Sequence, residues 1–284
     1  MRKQILAGFG YIILTVTIVP SLSANETRVP FVLHRGFSIV VHGSIGEIKG
    51  LNFIIDTGAV PSVVDRRLSH RLNLDGQPDQ VSLFARTMPS QRVVLPSVVL
   101  GPIHATGVEA LTQDLSFIER ALGVRIDALI GLDIMGRQDF SIDFAASCLQ
   151  FDLPARPADI WSDMMEGNSI AVVEMEFNGV PLRLMVDTGL KHVILFESRV
   201  PGMFARNRIQ SEKVSSNIGG AVKLKQVDPP IARLAHAPLA VESVFLLETP
   251  EDLSLEIDGL LGVAALKPMR VDFNFERRAI GWKW

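Results

Sequence analysis

Phe53-Ile54-Ile55-Asp56-Thr57-Gly58-Ala59 and Leu184-Met185-Val186-Asp187-Thr188-Gly189-Leu190 are the two stretches on which the reading of this chain turns. Each ends an apolar run, the pattern of a buried strand, in an acid, a hydroxyl and a glycine, the chemistry of a turn. A second element follows each copy: Asp127-Ala128-Leu129-Ile130-Gly131 and Asp258-Gly259-Leu260-Leu261-Gly262. From 56 to 187 and from 131 to 262 the step is the same 131 residues. A third pair, Asp143-Phe144 and Asp272-Phe273, sits on a trailing strand in each half. One Asp-Thr-Gly is ordinary turn chemistry, and Asp127 and Asp258 read equally well as capping or loop residues. Two copies locked to a second repeated element imply two similar folding units, each bringing one carboxylate to the end of a buried strand.

Composition narrows the function classes. The 284 residues carry a formal net charge of −3 with scattered Lys and Arg, which argues against a nucleic-acid footprint. Cys148 is the single cysteine, so no intrachain disulfide forms, and its neighbours mark it as a small buried hydrophobe. The six histidines fall in no metal-ligand spacing, and the chain has neither a Gly-x-Ser-x-Gly elbow nor a phosphate loop. No metal and no cofactor are expected. At the amino terminus Arg2 and Lys3 precede an apolar run, Ile5 to Val19, followed by Pro20 and small residues up to Ala24. That is the pattern of a secretory signal peptide cleaved near Ser23 or Ala24. Its 15 positions fall short of the roughly 20 that span a membrane. Export to the periplasm or beyond is expected, with retention by an uncleaved amino-terminal segment as the alternative.

The remaining texture is mostly β. Strand-like runs cover Phe37 to Val41, Phe53 to Ile55, Val93 to Leu95, Val98 to Leu100, Ile170 to Phe177 and Val271 to Phe275. Helical patterning is limited to Asp65–Leu74, Asp114–Leu122 and Glu197–Arg208. Leu153 to Asn168 contains Pro154 and Pro157 and reads as the connection between repeats, with a short helix around Trp161 to Met165.

The repeated elements resemble the aspartic proteases, and the retropepsin-like branch more closely than pepsin, across nearly all of the chain after the leader. The only tyrosine, Tyr11, lies in the leader, so a pepsin-type flap tyrosine is absent. The resemblance implies a mostly β fold of two pseudo-symmetric β-barrel lobes with a cleft between them, supplied here by one chain acting as a monomer. The expected division is 1–24 signal peptide, 25–152 first lobe, 153–168 linker and 169–284 second lobe. The resemblance makes Asp56 and Asp187 the catalytic pair, sharing one proton because two close carboxylates cannot both ionise cheaply; that behaviour is the family's own. Thr57, Gly58, Ala59, Thr188, Gly189, Gly131 and Gly262 are the expected supporting residues, the glycines leaving room for close backbone approach. Ile218, Gly219 and Gly220 are flap candidates; the matching stretch Leu83 to Ser90 has no glycine.

The implied activity is peptide-bond hydrolysis by a water activated between the two aspartates, on a peptide or protein substrate. The second half departs from the family pattern. Leu190 stands where a small or hydroxylic residue is usual, and Lys191-His192 follow. A bulky Leu190 would crowd Asp187 or raise its pKa by desolvation, whereas Lys191 close by would lower it. The alternative function is therefore a degraded protease-like fold that binds peptides without cutting them.

Overall fold

The computed structural model describes residues 27–83, 86–151, 156–165, 170–200, 202–204, 209–217, 220–248 and 256–284. The predicted leader, Ile218 and Gly219 lie outside the described residues.

The two aspartate-bearing strands, Ile48–Ile55 and Val180–Asp187, organise the lobes. Each is the second arm of a hairpin, pairing antiparallel with Ser38–Ile45 in the first lobe and Val172–Phe177 in the second. Asn178 and Gly179 join the second pair with φ of 50° and 85°. Two consecutive positive φ values match a type I′ turn, whose twist suits a hairpin and which Asn-Gly adopts at little cost. On its other side each aspartate strand runs parallel to the strand of the second repeated element, Ala128–Ile130 or Gly259–Gly262. Phe53 opposes Ala128 and Ile55 opposes Ile130; Leu184 opposes Gly259 and Val186 opposes Leu261. A third short strand, Val63–Asp65 or Val193–Phe196, then enters antiparallel on the far side. Strands buried on both faces must be apolar throughout, as Ala128-Leu129-Ile130 and Val193-Ile194-Leu195-Phe196 are.

The lobes join through their trailing strands. Phe140–Asp143 pairs antiparallel with Arg270–Asn274, setting Phe140 opposite Phe273, Ser141 opposite Asp272 and Ile142 opposite Val271. Under the 131-residue step Phe140 corresponds to Val271 and Ile142 to Phe273, so the pairing maps onto itself. The pseudo-twofold axis therefore passes through Ser141 and Asp272, whose side chains hydrogen-bond at 2.6 Å. Beside it Phe140 and Phe273 stack with ring centroids 4.6 Å apart. The fold is mostly β and two-lobed, as expected. Among the described residues it comprises a 13-stranded sheet, continuous across this junction, and a nine-stranded sheet of the second half.

One apolar core runs through both halves, from Val29 to Trp282. Each lobe adds a smaller cluster with matching members: Ile54, Val63 and Leu129 in the first, Met185, Ile194 and Leu260 in the second. Each such side chain contributes about 1.5–3 kcal/mol on burial, so the sheet faces behind the aspartates are held from both sides.

Three expectations are corrected. The segment around Trp161 forms no helix; Ile160–Asp163 is a strand paired with Ala279–Lys283. The tryptophan ring lies over Gly281, where a Cβ would come within 2.9 Å of it, and Ser162 accepts a hydrogen bond from the buried Trp282 indole. Of the helix expected over Glu197–Arg208, the described residues hold a single 3-10 turn, Glu197–Arg199; residues 201 and 205–208 lie outside them. The runs at Val93 and Val98 belong to one strand, Arg86–Leu100, which carries Pro96 at a position where the ladder to its neighbour is skipped. Helices do form at Arg66–Arg71 and Ser116–Leu122, shorter than predicted.

Candidate catalytic centre

Asp56 and Asp187 end their strands at the lobe junction, and a reciprocal set of hydrogen bonds draws the two ends together. The Thr57 hydroxyl donates to the Val186 carbonyl at 2.7 Å, and the Thr188 hydroxyl donates to the Ile55 carbonyl at 2.8 Å. Each hydroxyl also accepts from the opposite threonine's backbone N–H, at 3.0 and 3.1 Å. Both threonines are buried, so these four bonds form away from water and are costly to lose. The residue after each threonine must then pass close to the other lobe's carboxylate. A Cβ on Gly58 would sit 2.8 Å from an Asp187 carboxylate oxygen, and one on Gly189 would sit 2.8 Å from Asp56. Glycine is required by that approach.

Within each lobe the glycine N–H turns back on the aspartate. Gly58 donates to Asp56 Oδ1 at 3.1 Å and Gly189 to Asp187 Oδ1 at 2.7 Å. The distal glycines also behave as expected. A Cβ on Gly131 would fall 1.6 Å from the Ala59 carbonyl oxygen, and one on Gly262 would fall 2.6 Å from those of Leu190 and His192. Asp127 and Asp258 cap neither helix nor turn. Asp127 accepts from the Asn52 backbone N–H at 3.0 Å and Asp258 from that of Arg183 at 2.8 Å, each clamping its aspartate strand at the fourth residue before the aspartate.

The Asp56 and Asp187 carboxylates interact directly, and both are pushed upward in pKa. For Asp56 the main cause is desolvation, offset by the Gly58 N–H and by a hydrogen bond from Asp187. For Asp187 desolvation again leads, but the charge of Asp56 adds to it and carries the group well above the ordinary carboxylate value of 3.8. Two such carboxylates side by side share one proton between them.

The departures in the second lobe have a structural answer. Leu190 packs against the lobe's own apolar cluster, among Met185, Ile194 and Leu260, in the place that Ala59 takes in the first lobe. Lys191 is exposed, and its charge acts on Glu242, which Lys267 pairs first. The His192 ring bonds Ser243 at 2.7 Å and rests 4.8 Å from the Phe245 ring centroid.

Of the flap candidates Gly220 is described, opposite Asn217 in a hairpin of Ile209–Asn217 and Gly220–Val227. Gly220 begins the returning strand. The first half has a matching hairpin, Gln77–Leu83 with Arg86–Leu100. Among the described residues no group of three His, Cys, Asp or Glu side chains is placed to hold a metal.

Sequence reading passed over Ser62 and Asp133. The wholly buried Ser62 donates its hydroxyl to Asp133 Oδ1 at 2.7 Å and its N–H to Oδ2 at 3.0 Å, six residues from Asp56. Their partners under the repeat are Val193 and Ala264, so a search for duplicated features could not find them.

A family model described as aspartyl protease matches residues 41–134 and 173–265, one match for each repeat and together more than half of the chain. No curated protein matches the chain.

Proposed function

Starting from the aspartyl protease family, to which this chain belongs, we propose that it is an exported endopeptidase that hydrolyses peptide bonds with Asp56 and Asp187 as its catalytic pair. A water between the two carboxylates is the nucleophile. Asp56, the more acidic member, removes a proton from it as the water oxygen bonds to the scissile carbonyl carbon. Asp187 gives its proton to the carbonyl oxygen, leaving a neutral tetrahedral diol. Collapse of the diol breaks the C–N bond; the amine leaves with the proton that Asp56 took up, and a diol hydroxyl returns one to Asp187. One water is consumed, no covalent enzyme intermediate forms, and the pair regains its shared proton.

The observation that carries this reading is two half-buried carboxylates, each set against the opposite lobe's site glycine and gripped across the junction by Thr57 and Thr188. Structural acids gain nothing from being held in that state, because burying a second carboxylate beside the first is costly. The hairpins at 209–227 and 77–100 are the proposed flaps over the cleft, and the apolar leader supports export with removal of residues 1–24. The mature unit is proposed to act as a monomer, since one chain supplies both aspartates.

Digestion of a mixed peptide library by the mature protein across pH, beside Asp56→Asn, tests the proposal. Cleavage by the parent, lost in the variant, is expected. Peptide binding without cleavage at any pH would make the protein a binding module instead, and cleavage surviving in Asp56→Asn would assign the activity elsewhere.

A further inference from the structure

We propose that Ser62 and Asp133 are positioning residues that set the backbone of Asp56, giving the first lobe a rigidity the second lobe lacks. The inference rests on the proposed catalytic pair and extends it to residues outside the repeat.

A single peptide unit links the three residues. The carbonyl of Ile130 accepts the Asp56 N–H at 2.9 Å. The N–H of that same peptide, on Gly131, donates to the Ser62 hydroxyl oxygen at 2.9 Å. The Ser62 hydroxyl in turn donates to Asp133 at 2.7 Å, and the Ser62 carbonyl accepts from Leu111 N–H at 2.9 Å. A chain of donors thus runs from Asp56 through one peptide and one hydroxyl to a carboxylate, each bond polarising the next. The peptide cannot tilt without breaking a bond at one end. In the second lobe Val193 and Ala264 occupy the two positions, and the Gly262 N–H reaches only the His192 carbonyl, at 3.1 Å. The first lobe therefore spends a buried polar network where the second uses hydrocarbon. Fixing the general base is a use for that network, because a displaced base loses rate far more than binding.

Three variants test this: Ser62→Thr, Asp133→Asn, and the double change Ser62→Val with Asp133→Ala, which installs the second lobe's own pair without leaving the half-buried Asp133 carboxylate unpartnered. Threonine keeps the hydroxyl and is isosteric with the Val193 that the equivalent site accepts. Steady-state kinetics on a peptide that the parent cleaves are read beside the melting temperature. The double variant should lose about 10- to 100-fold in kcat with KM within about twofold. Asp133→Asn should fall between it and the parent, and Ser62→Thr should hold kcat within about threefold. Hydrogen exchange gives a readout that needs no turnover: the Asp56 amide should exchange faster in the double variant and the Asp187 amide should not. A double variant with parental kcat, or one whose two aspartate amides are affected alike, would overturn the proposal. So would a double variant that fails to fold while Asp133→Asn keeps parental kcat. A parent that cuts no peptide would instead refute the protease reading, and the exchange comparison would still decide the positioning claim.

Discussion

The first lobe holds its aspartate with a buried serine and a second carboxylate; the second holds its own with leucine, valine and alanine. The scaffold that draws the two acids together is matched position for position. The threonine grip, the glycines at the approach, the clamping Asp127 and Asp258 and the strand registers all recur with a step of 131. What recurs is what brings two carboxylates onto one axis. What does not recur is the polar network of Ser62 and Asp133, which anchors the peptide beside Asp56 alone.

The largest effect should be equal from both sides. Asp56→Asn and Asp187→Asn each remove one half of a two-part task, and each should lower kcat by about three orders of magnitude or more in steady-state assays. A tenfold difference between them would mean that one acid carries the chemistry alone.

The grip should also be symmetric. Thr57→Val and Thr188→Val each orphan a buried carbonyl and a buried N–H on the opposite lobe. Each should cost about 1–3 kcal/mol per orphaned group in denaturant unfolding, with the two costs agreeing closely.

Protonation breaks the symmetry. Burial and the neighbouring charge favour the protonated form of Asp187, so the folded chain keeps a proton that the unfolded chain releases near pH 4. The stability this gives is complete below that point and is lost as pH rises through the raised folded value. Asp187→Asn, which cannot ionise, should therefore melt higher than the parent at pH 7, the gap closing toward pH 4. Thermal melts of both proteins over that range check it.

The smallest effect belongs to Leu190→Ala. The side chain is only partly buried against its cluster, so the loss should be near the low end of the 2–5 kcal/mol seen for buried leucines, or below it. Activity should survive, since alanine already fills the corresponding place, Ala59, in the first lobe. Abolished turnover with an intact fold would place it against the carboxylate after all.

Duplication explains how much of this was legible in advance. Asp56, Asp187, the threonines and the four site glycines are short-range patterns with a sterically forced identity, so two copies made them readable. Asp127 and Asp258 were visible as part of the repeat, but their bonds to the Asn52 and Arg183 amides depend on strand register, which a motif does not encode. Trp161 was misread because a four-residue segment carries no reliable period; its strand forms through pairing with residues 279–283, more than a hundred positions away. Ser62 and Asp133 stayed hidden for the opposite reason. They are unique to one lobe, 71 residues apart, and joined only by the fold.

The central claim is that Asp56 and Asp187 form one acid–base unit with its proton on Asp187. Carbon-13 NMR titration of the aspartate side-chain carboxyls reads this directly and requires no substrate. The account predicts two coupled steps from the pair, the upper one well above 3.8 and dominated by Asp187, with that upper step falling once Asp56→Asn removes the neighbouring charge. Two independent titrations near 3.8, unchanged by the substitution, would contradict it.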